Sequence, residues 1–484
     1  MNRNIWKWAF WIAIGISFGA LIAAPQAATL LVNPNGGQYT TIQAALDAAN
    51  PGDTVVVSGG TYTEDLSIGH FNYPSKNKSN IVLKSAEGEV VEVIAANQSN
   101  RFAGLAAAGY SLGDQDRAGL VINGDGARIE GIRFIQPSAE MNALRYTFCV
   151  LIGSSNVTLR NCEVIGPHPE DTPTPPNDAG DMVGITIASV DVYGLMEGGA
   201  APPSNLTVEN CSIHHCEFGF GSSDLLQTGV PPSAIISNSE FYYNYRGAES
   251  NDGMITFNEC HFFNNNVACN VVDDEVSFRR CQIERSTSRG VLVDDYECED
   301  DESAEFPAAN FFQCTFNNNA GDGLQINTGT VSISDTLFHQ NSGLNLYLGC
   351  SGSRESKVTI NQCDFYQAGK GVAIQCNANP TQLLTMSLEN SIISDGTGLD
   401  LETAVGDIRV SYCNFFVTGE AVIGDFLTLE NLLYQNPVYM DPAQGDFRLN
   451  PSSPLIQAGN KGQTLGSQGV GETSIDPWIH YGNS

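Results

Sequence analysis

The feature that most constrains this chain is a repeat of about twenty-two residues. The segments NVTLRNCEVIG (156–166), NLTVENCSIHH (205–215), AIISNSEFYYN (234–244), MITFNECHFFN (254–264) and VSFRRCQIERS (276–286) align with one another. The series continues with NFFQCTFNNN (310–319), VSISDTLFHQN (331–341), VTINQCDFYQA (358–368), LTMSLENSIIS (384–394) and IRVSYCNFFVT (408–418). One column reads Cys162, Cys211, Ser239, Cys260, Cys281, Cys314, Thr336, Cys363, Ser391, Cys413, with spacings of 49, 28, 21, 21, 33, 22, 27, 28 and 22. The shortest spacings measure one unit, and the longer ones contain inserted loops. Each unit alternates apolar and polar residues between Asn- and Gly-rich turns, and cannot bury its apolar face alone, so neighbours must stack. Parallel stacking sets equivalent positions about 4.8 Å apart. The expected fold is therefore all-β, a single-stranded parallel β-helix of about 10–12 coils, with the small-residue column as an internal ladder.

That ladder takes seven of the thirteen cysteines. Side chains on neighbouring rungs point the same way, whereas a disulfide needs Cβ atoms facing each other about 3.8 Å apart. Buried free thiols acting as small hydrophobes are the expectation, with Cys298, in an acidic loop, as the exposed exception. His214 and His215 lie beside Cys211 and Cys216 and raise the question of zinc. Cys211 belongs to the inward ladder and His214 falls at the turn, so their convergence is not expected.

The opening of the repeat region, QYTTIQAALDAANPGDTVVVSGGTYTEDLSI (38–68), resembles the N-terminus of right-handed β-helix proteins of the pectin lyase-like superfamily. The resemblance implies a right-handed coil with a short amphipathic α-helix capping its first turn. Ile42, Ala45, Leu46 and Ala49 would form its apolar stripe, Thr41 its N-cap, and Pro51-Gly52 its end. The segment DFRLNPSSPLIQAG (446–459) resembles the closing region of such proteins. The division expected is a signal peptide over 1–28, the cap and first coil over 29–70, the β-helix over 71–440 and a closing segment over 441–484. The superfamily includes lyases, hydrolases, esterases, epimerases and proteins without chemistry, so the fold alone does not name an activity.

Register in the repeat places Asp252 beside Asp273, and Asp273 beside Asp295, with Asp274 and Asp294 flanking the column. Carboxylates about 4.8 Å apart repel and so hold a proton or attract a cation. The outcome is either a raised acid for glycoside cleavage or a calcium site, with Asp273, Asp294 and Asp295 as ligands. Short connections at 250–254 and 272–276 lie between longer insertions at 222–234 and 296–309, which leaves a trough for a linear polysaccharide. Arg246 and Arg289 occupy equivalent turn positions on its approach and, with Asp295, are the candidate substrate contacts. Asn251-Asp252 followed by Asp273-Asp274 also partly resembles polygalacturonase-like hydrolases. That resemblance implies Asp273 as general acid, with Asp252 and Asp274 positioning the attacking water. The pattern departs further on, since Asp294-Asp295 stands where Gly-His-Gly belongs and Asn327-Thr328-Gly329-Thr330 where Arg-x-Lys belongs.

Composition sets the partners. The chain carries 54 acidic and 22 basic residues, a net charge of −32, and only 16% charged residues, so the imbalance reflects scarce bases. Phosphate binding needs clustered cations, which argues against nucleic acid. Residues 1–28, with Arg3 and Lys7 ahead of an apolar run and small residues at Ala27-Ala28, have the pattern of a secretory signal, an uncleaved anchor being the alternative. The expectation is a secreted monomer, off the membrane once the signal is removed. Its function is expected to be carbohydrate-directed, whether binding or cleavage, with calcium as the one candidate cofactor. The alternative is a non-catalytic surface or adhesion β-helix. The stretch 270–305 holds twelve acids against four bases, which favours a neutral or cation-bridged glycan over an anionic one.

Overall fold

The computed structural model describes residues 27–69, 78–97, 117–137, 146–167, 181–188, 204–223, 231–251, 253–272, 275–294, 307–349, 356–376, 383–394, 396–401, 406–424 and 427–470. Its strands form three parallel sheets of fifteen, thirteen and thirteen strands, called A, B and C below, plus a two-stranded antiparallel ribbon. Each coil contributes one strand to each long sheet in the order A, B, C. Leu206–Glu209, Ser212–His214 and Phe218–Ser223 make up one such coil. This is a parallel β-helix of thirteen coils among the described residues, rather than the 10–12 expected. The extra coils lie before Cys162, where the ladder column continues as Ile132 and Val91 and carries no small residue to mark it.

The strand register reproduces every spacing of the sequence column. Thr158 pairs with Thr207, Leu206 with Ala234, Met254 with Glu275 and Glu275 with Ala308. The small-residue column is buried throughout, from Cys162 at 3% exposure to Cys413 at 0%. Its members satisfy backbone groups of adjacent coils. Cys281 Sγ donates to Phe257 O at 3.3 Å and Cys314 Sγ to Phe278 O at 3.4 Å, while Ser391 Oγ accepts from Cys363 N at 3.1 Å. All eleven described cysteines are free and buried. Burial pushes the Cys413 thiol up to about 12. Cys298 lies outside the described residues.

The residue before each ladder position turns the chain from sheet A to sheet B in the left-handed region, as at Asn210 (φ 53°), Glu259 (φ 55°) and Arg280 (φ 53°). Such a conformation costs a non-glycine residue roughly 1–2 kcal/mol. Cross-coil bonds offset it, including Glu259 N to Arg279 O at 2.8 Å. Five positions after the ladder runs a second internal column, Asn244, Asn265, Ser286, Asn319 and Asn341, all buried. Asn319 Nδ2 donates to Asn341 Oδ1 at 2.8 Å, and Asn319 Oδ1 accepts from Ser286 N at 3.0 Å. The apolar filling is stacked in the same way. Phe257, Phe278 and Phe311 lie face to face at 5.1 and 4.9 Å, and Phe316, Phe338 and Phe365 at 4.7 and 5.0 Å.

At the N-terminal end the helix Ile42–Ala48 forms as expected, buries Ile42, Ala45 and Leu46, and takes Thr41 as its N-cap. Glu64 accepts the first-turn N–H groups of Ile42 and Gln43 through its two carboxylate oxygens, each at 2.9 Å. At the other end the chain past Leu433 runs back along the outer face of sheet B. Phe447 packs against His339 and Tyr366 at 5.0 Å each, and Leu449, Leu455 and Leu465 bury Ile392. No described helix is long and apolar enough to cross a membrane.

Candidate functional site

A β-helix of this kind offers its chemistry on outward-facing side chains, which recur in columns because every coil keeps the same register. Two such faces carry polar networks. On sheet C the sequence-expected residues Arg246 and Arg289 are not in turns. They are the first residues of the strands Arg246–Asn251 and Arg289–Val293, each paired to Val267 of the intervening coil. A strand start fixes their backbone, so both side chains lie along the sheet. Arg246 pairs with Glu249 and sits over the Phe218 ring at 5.2 Å. Arg289 Nη1 donates to Gln325 Oε1 at 2.7 Å.

The hydrogen bonds on this face fall into two groups that together span four coils. Asn270 Nδ2 donates to Glu249 Oε2 at 3.4 Å, Gln325 Nε2 to Asn327 Oδ1 at 2.8 Å, and Asn327 Nδ2 to Asp294 Oδ2 at 2.6 Å. Asn270 is 2% exposed and its Oδ1 has no hydrogen-bond partner, an arrangement that costs about 1–3 kcal/mol unless a donor is supplied. Glu249, Asn270, Leu292, Gln325 and Tyr347 are neighbours in one cross-coil row. Asp294 is therefore in place on the edge of this face. Asp252, Asp273, Asp274 and Asp295 lie outside the described residues. The register that frames them, Asn251 with Val272 and Val271 with Val293, has the spacings of 21 and 22 used to align them. Among the described residues no three His, Cys, Asp or Glu side chains gather to hold a metal ion, and of the ligand set expected for calcium only Asp294 lies among them.

The second face is the outer side of sheet B, of which the sequence singled out only His214. Its two columns were present in the same alignment, one and three residues after the ladder. The first includes Glu163, Ser212, Glu240, His261 and Gln282, and the second His214, Tyr242, Phe263, Glu284 and Asn317. His214, Tyr242 and Phe263 stack in succession at 4.6 and 4.8 Å. Glu284 is nearly buried and receives bonds from His261 Nε2 at 3.1 Å, Gln282 Nε2 at 2.9 Å and Asn317 Nδ2 at 3.0 Å. Burial raises its pKa, but these bonds and the Arg285 charge outweigh that and hold the carboxyl below its usual value. Beside this lies a groove of about 480 Å³ lined by Arg133, Asn161, Glu163, Asn210, Ser212 and Glu240. Arg133, in its lining, bridges Glu163 at 2.6 Å and Glu92 at 3.5 Å.

Two overlapping matches to a family model described as "Right handed beta helix region" cover residues 205–353 and 273–428. A sequence search of curated proteins finds no match. Among solved structures the chain is similar to a mannuronan C-5 epimerase A-module of Azotobacter vinelandii, with 14% identity, a TM-score of 0.49, and coverage of 82% of this chain and 94% of that one. It is also similar to a pectate lyase, with 13% identity, a TM-score of 0.38, and coverage of 93% and 98%. At these identities the likeness concerns the fold. With three long parallel sheets built from one strand each per coil, and residues 205–428 matching that model, the chain has the fold of a right-handed parallel β-helix.

Proposed function

We propose that the protein is carbohydrate-directed and lays a linear glycan along the outer face of sheet C. The observation that carries this reading is a pair of hydrogen-bonded clusters on this face, Arg246 with Glu249 and Asn270, and Arg289 with Gln325, Asn327 and Asp294. Coils rise by about 4.8 Å, close to the length of one sugar residue, so a polysaccharide parallel to the axis meets a similar set of groups at each step. Planar amide, guanidinium and carboxylate groups held by their neighbours lose little freedom on binding hydroxyls. The net charge of −32 favours a neutral glycan, or an acidic one bridged by calcium through Asp273, Asp294 and Asp295. Catalysis, where it occurs, is assigned to Asp252, Asp273 and Asp274, with Asp295 and the two arginines as substrate contacts.

The test is binding and turnover on a panel of neutral and acidic polysaccharides, with calcium or a chelator. The expected result is binding to one glycan class, weakened at least tenfold in Arg289→Ala and Gln325→Ala chains that melt like the wild type. Undiminished binding in both variants would remove sheet C from the site. Release of reducing ends or unsaturated product that disappears in Asp273→Asn makes the protein an enzyme. Binding without turnover makes it a non-catalytic glycan-binding β-helix.

A further inference from the structure

The groove beside sheet B follows the corner where the chain turns from sheet A into sheet B. Gly131, Asn161, Asn210 and Asn238 occupy this corner in successive coils, each in the left-handed region, with φ of 68°, 52°, 53° and 49°. The register of sheet A keeps them in one row, since Glu130 pairs with Arg160, Arg160 with Glu209 and Glu209 with Ser237. The three asparagines are exposed, and among the described residues no protein group is hydrogen-bonded to their side chains. At the corner leading into sheet A, by contrast, Asn205 Nδ2 is bonded to Asn156 Oδ1 at 3.2 Å. Charged residues flanking the row are already paired, Arg160 with Glu209 and Arg133 with Glu163, each at 2.6 Å. The groove is lined from the coil of Val91 through those of Ile132, Glu163 and Ser212 to that of Glu240. The next two corner positions, Glu259 and Arg280, are ion-paired at 2.6 Å and lie outside the lining.

We propose that this groove is a second carbohydrate site, which takes a linear neutral oligosaccharide along the coil axis. Its volume of about 480 Å³ falls within the range of roughly 300–1,000 Å³ usual for small-molecule sites. With a rise of about 4.8 Å per coil, its first and last coils lie about 19 Å apart, room for about four sugar units at one per coil. Each open amide offers two N–H donors and a carbonyl acceptor. Sugar hydroxyls both donate and accept, so they can replace the water on these amides without losing its hydrogen bonds. The left-handed corner fixes where each amide starts, and a short side chain loses little freedom on binding. Val90, 57% exposed in the lining, gives apolar surface for the C–H face of a sugar ring. Charge selects the class of ligand. The lining holds Glu89, Glu163 and Glu240 against Arg133 alone, and that guanidinium is already shared between Glu163 and Glu92. An anionic chain would be repelled, whereas a neutral one meets hydroxyl-binding groups throughout. This inference concerns the corner between sheets A and B and does not rest on the reading of sheet C.

The test is calorimetric titration of the full chain with cellotetraose, mannotetraose and laminaritetraose, and with tetragalacturonate as the anionic comparison. At least one neutral tetrasaccharide should bind, tenfold or more tighter than tetragalacturonate and than its own disaccharide. Replacing two amides together, Asn161→Gly with Asn210→Gly, should weaken that binding at least tenfold. Glycine keeps the left-handed corner while removing the amide, so this chain should melt like the wild type. Asn238→Gly, a milder change at the end of the row, should weaken binding at least threefold. In Arg289→Ala, altered on sheet C, one site per chain should remain with its affinity unchanged, which separates this groove from a site on sheet C. Wild-type affinity in both asparagine variants, loss of all binding in Arg289→Ala, or no binding of any neutral tetrasaccharide overturns the proposal.

Discussion

The returning C-terminal segment covers two titratable groups with opposed pH responses, the buried Asp364 and the half-buried His339, which allows a quantitative test. Asp364 is 1% exposed, accepts from Tyr439 OH at 2.9 Å and Ser467 Oγ at 2.7 Å, and is pushed by burial from its ordinary value of 3.8 to about 6. His339, under Phe447, is pulled by burial from 6.5 to about 4. For Asp364 the folded value is raised, so the native state binds the extra proton. Its contribution is fully present below pH 3.8 and is lost as pH rises through about 6. For His339 the folded value is lowered, so the unfolded state binds the extra proton. Stability is lost as pH falls from about 6.5 towards 4. Each shift corresponds to at most about 3 kcal/mol, and between pH 4 and 6 the two slopes nearly cancel in the wild type. Single variants remove the cancellation. Relative to wild type, Asp364→Asn should gain up to about 3 kcal/mol on going from pH 4 to pH 7, and His339→Asn should gain a similar amount in the opposite direction. The assay is urea unfolding at half-unit pH steps for the three chains. The difference from wild type isolates the substituted group from the other acids. A difference profile flat to within about 0.5 kcal/mol, or of the opposite sign, would show that burial under the segment does not set these pKa values.

Two further outcomes follow from the internal columns. Asn319→Ala removes an acceptor for Ser286 N and donors to Ile283 O and Asn341 Oδ1. It should cost about 2–4 kcal/mol in equilibrium unfolding, whereas a loss below about 0.5 kcal/mol would show that the column is not structural. The eleven described cysteines should be silent to a thiol reagent in the native chain and react after denaturation, so that at most two of thirteen titrate natively and reductant leaves the melting temperature unchanged. A higher native count would contradict the inward ladder.

Much of the fold was legible because a stacked coil repeats one environment. The spacings between Cys162 and Cys413 are those of the strand register, since a residue inserted elsewhere must leave the column in line. The coils before Cys162 are less marked in the sequence because Ile132 and Val91 fill the ladder position without a small residue. The candidate site was only partly legible. The turn column drew attention to the aspartates and to Arg246 and Arg289. The polar pairs on the outward columns of sheet B, Glu163 with His214 and His261 with Glu284, are not legible in the alignment because no single repeat contains both members of a pair. His261 meets Glu284 from the next coil, 23 residues away, and His214 meets Glu163 across 51 residues.

The sequence by itself determined the coil, the ladder and the capping helix, because each depends on a local pattern that recurs at one period. It also determined that the chain is poor in cations. Only the tertiary structure decided how outward side chains are cross-linked. The choice of Gln325 as partner for Arg289, or of Asn327 for Asp294, depends on loop lengths that set which residues share a rung. The return of Phe447 onto His339 and Tyr366 was equally illegible. It joins positions separated by more than eighty residues through packing alone, and nothing in a local repeat specifies which coil a distant segment will cover.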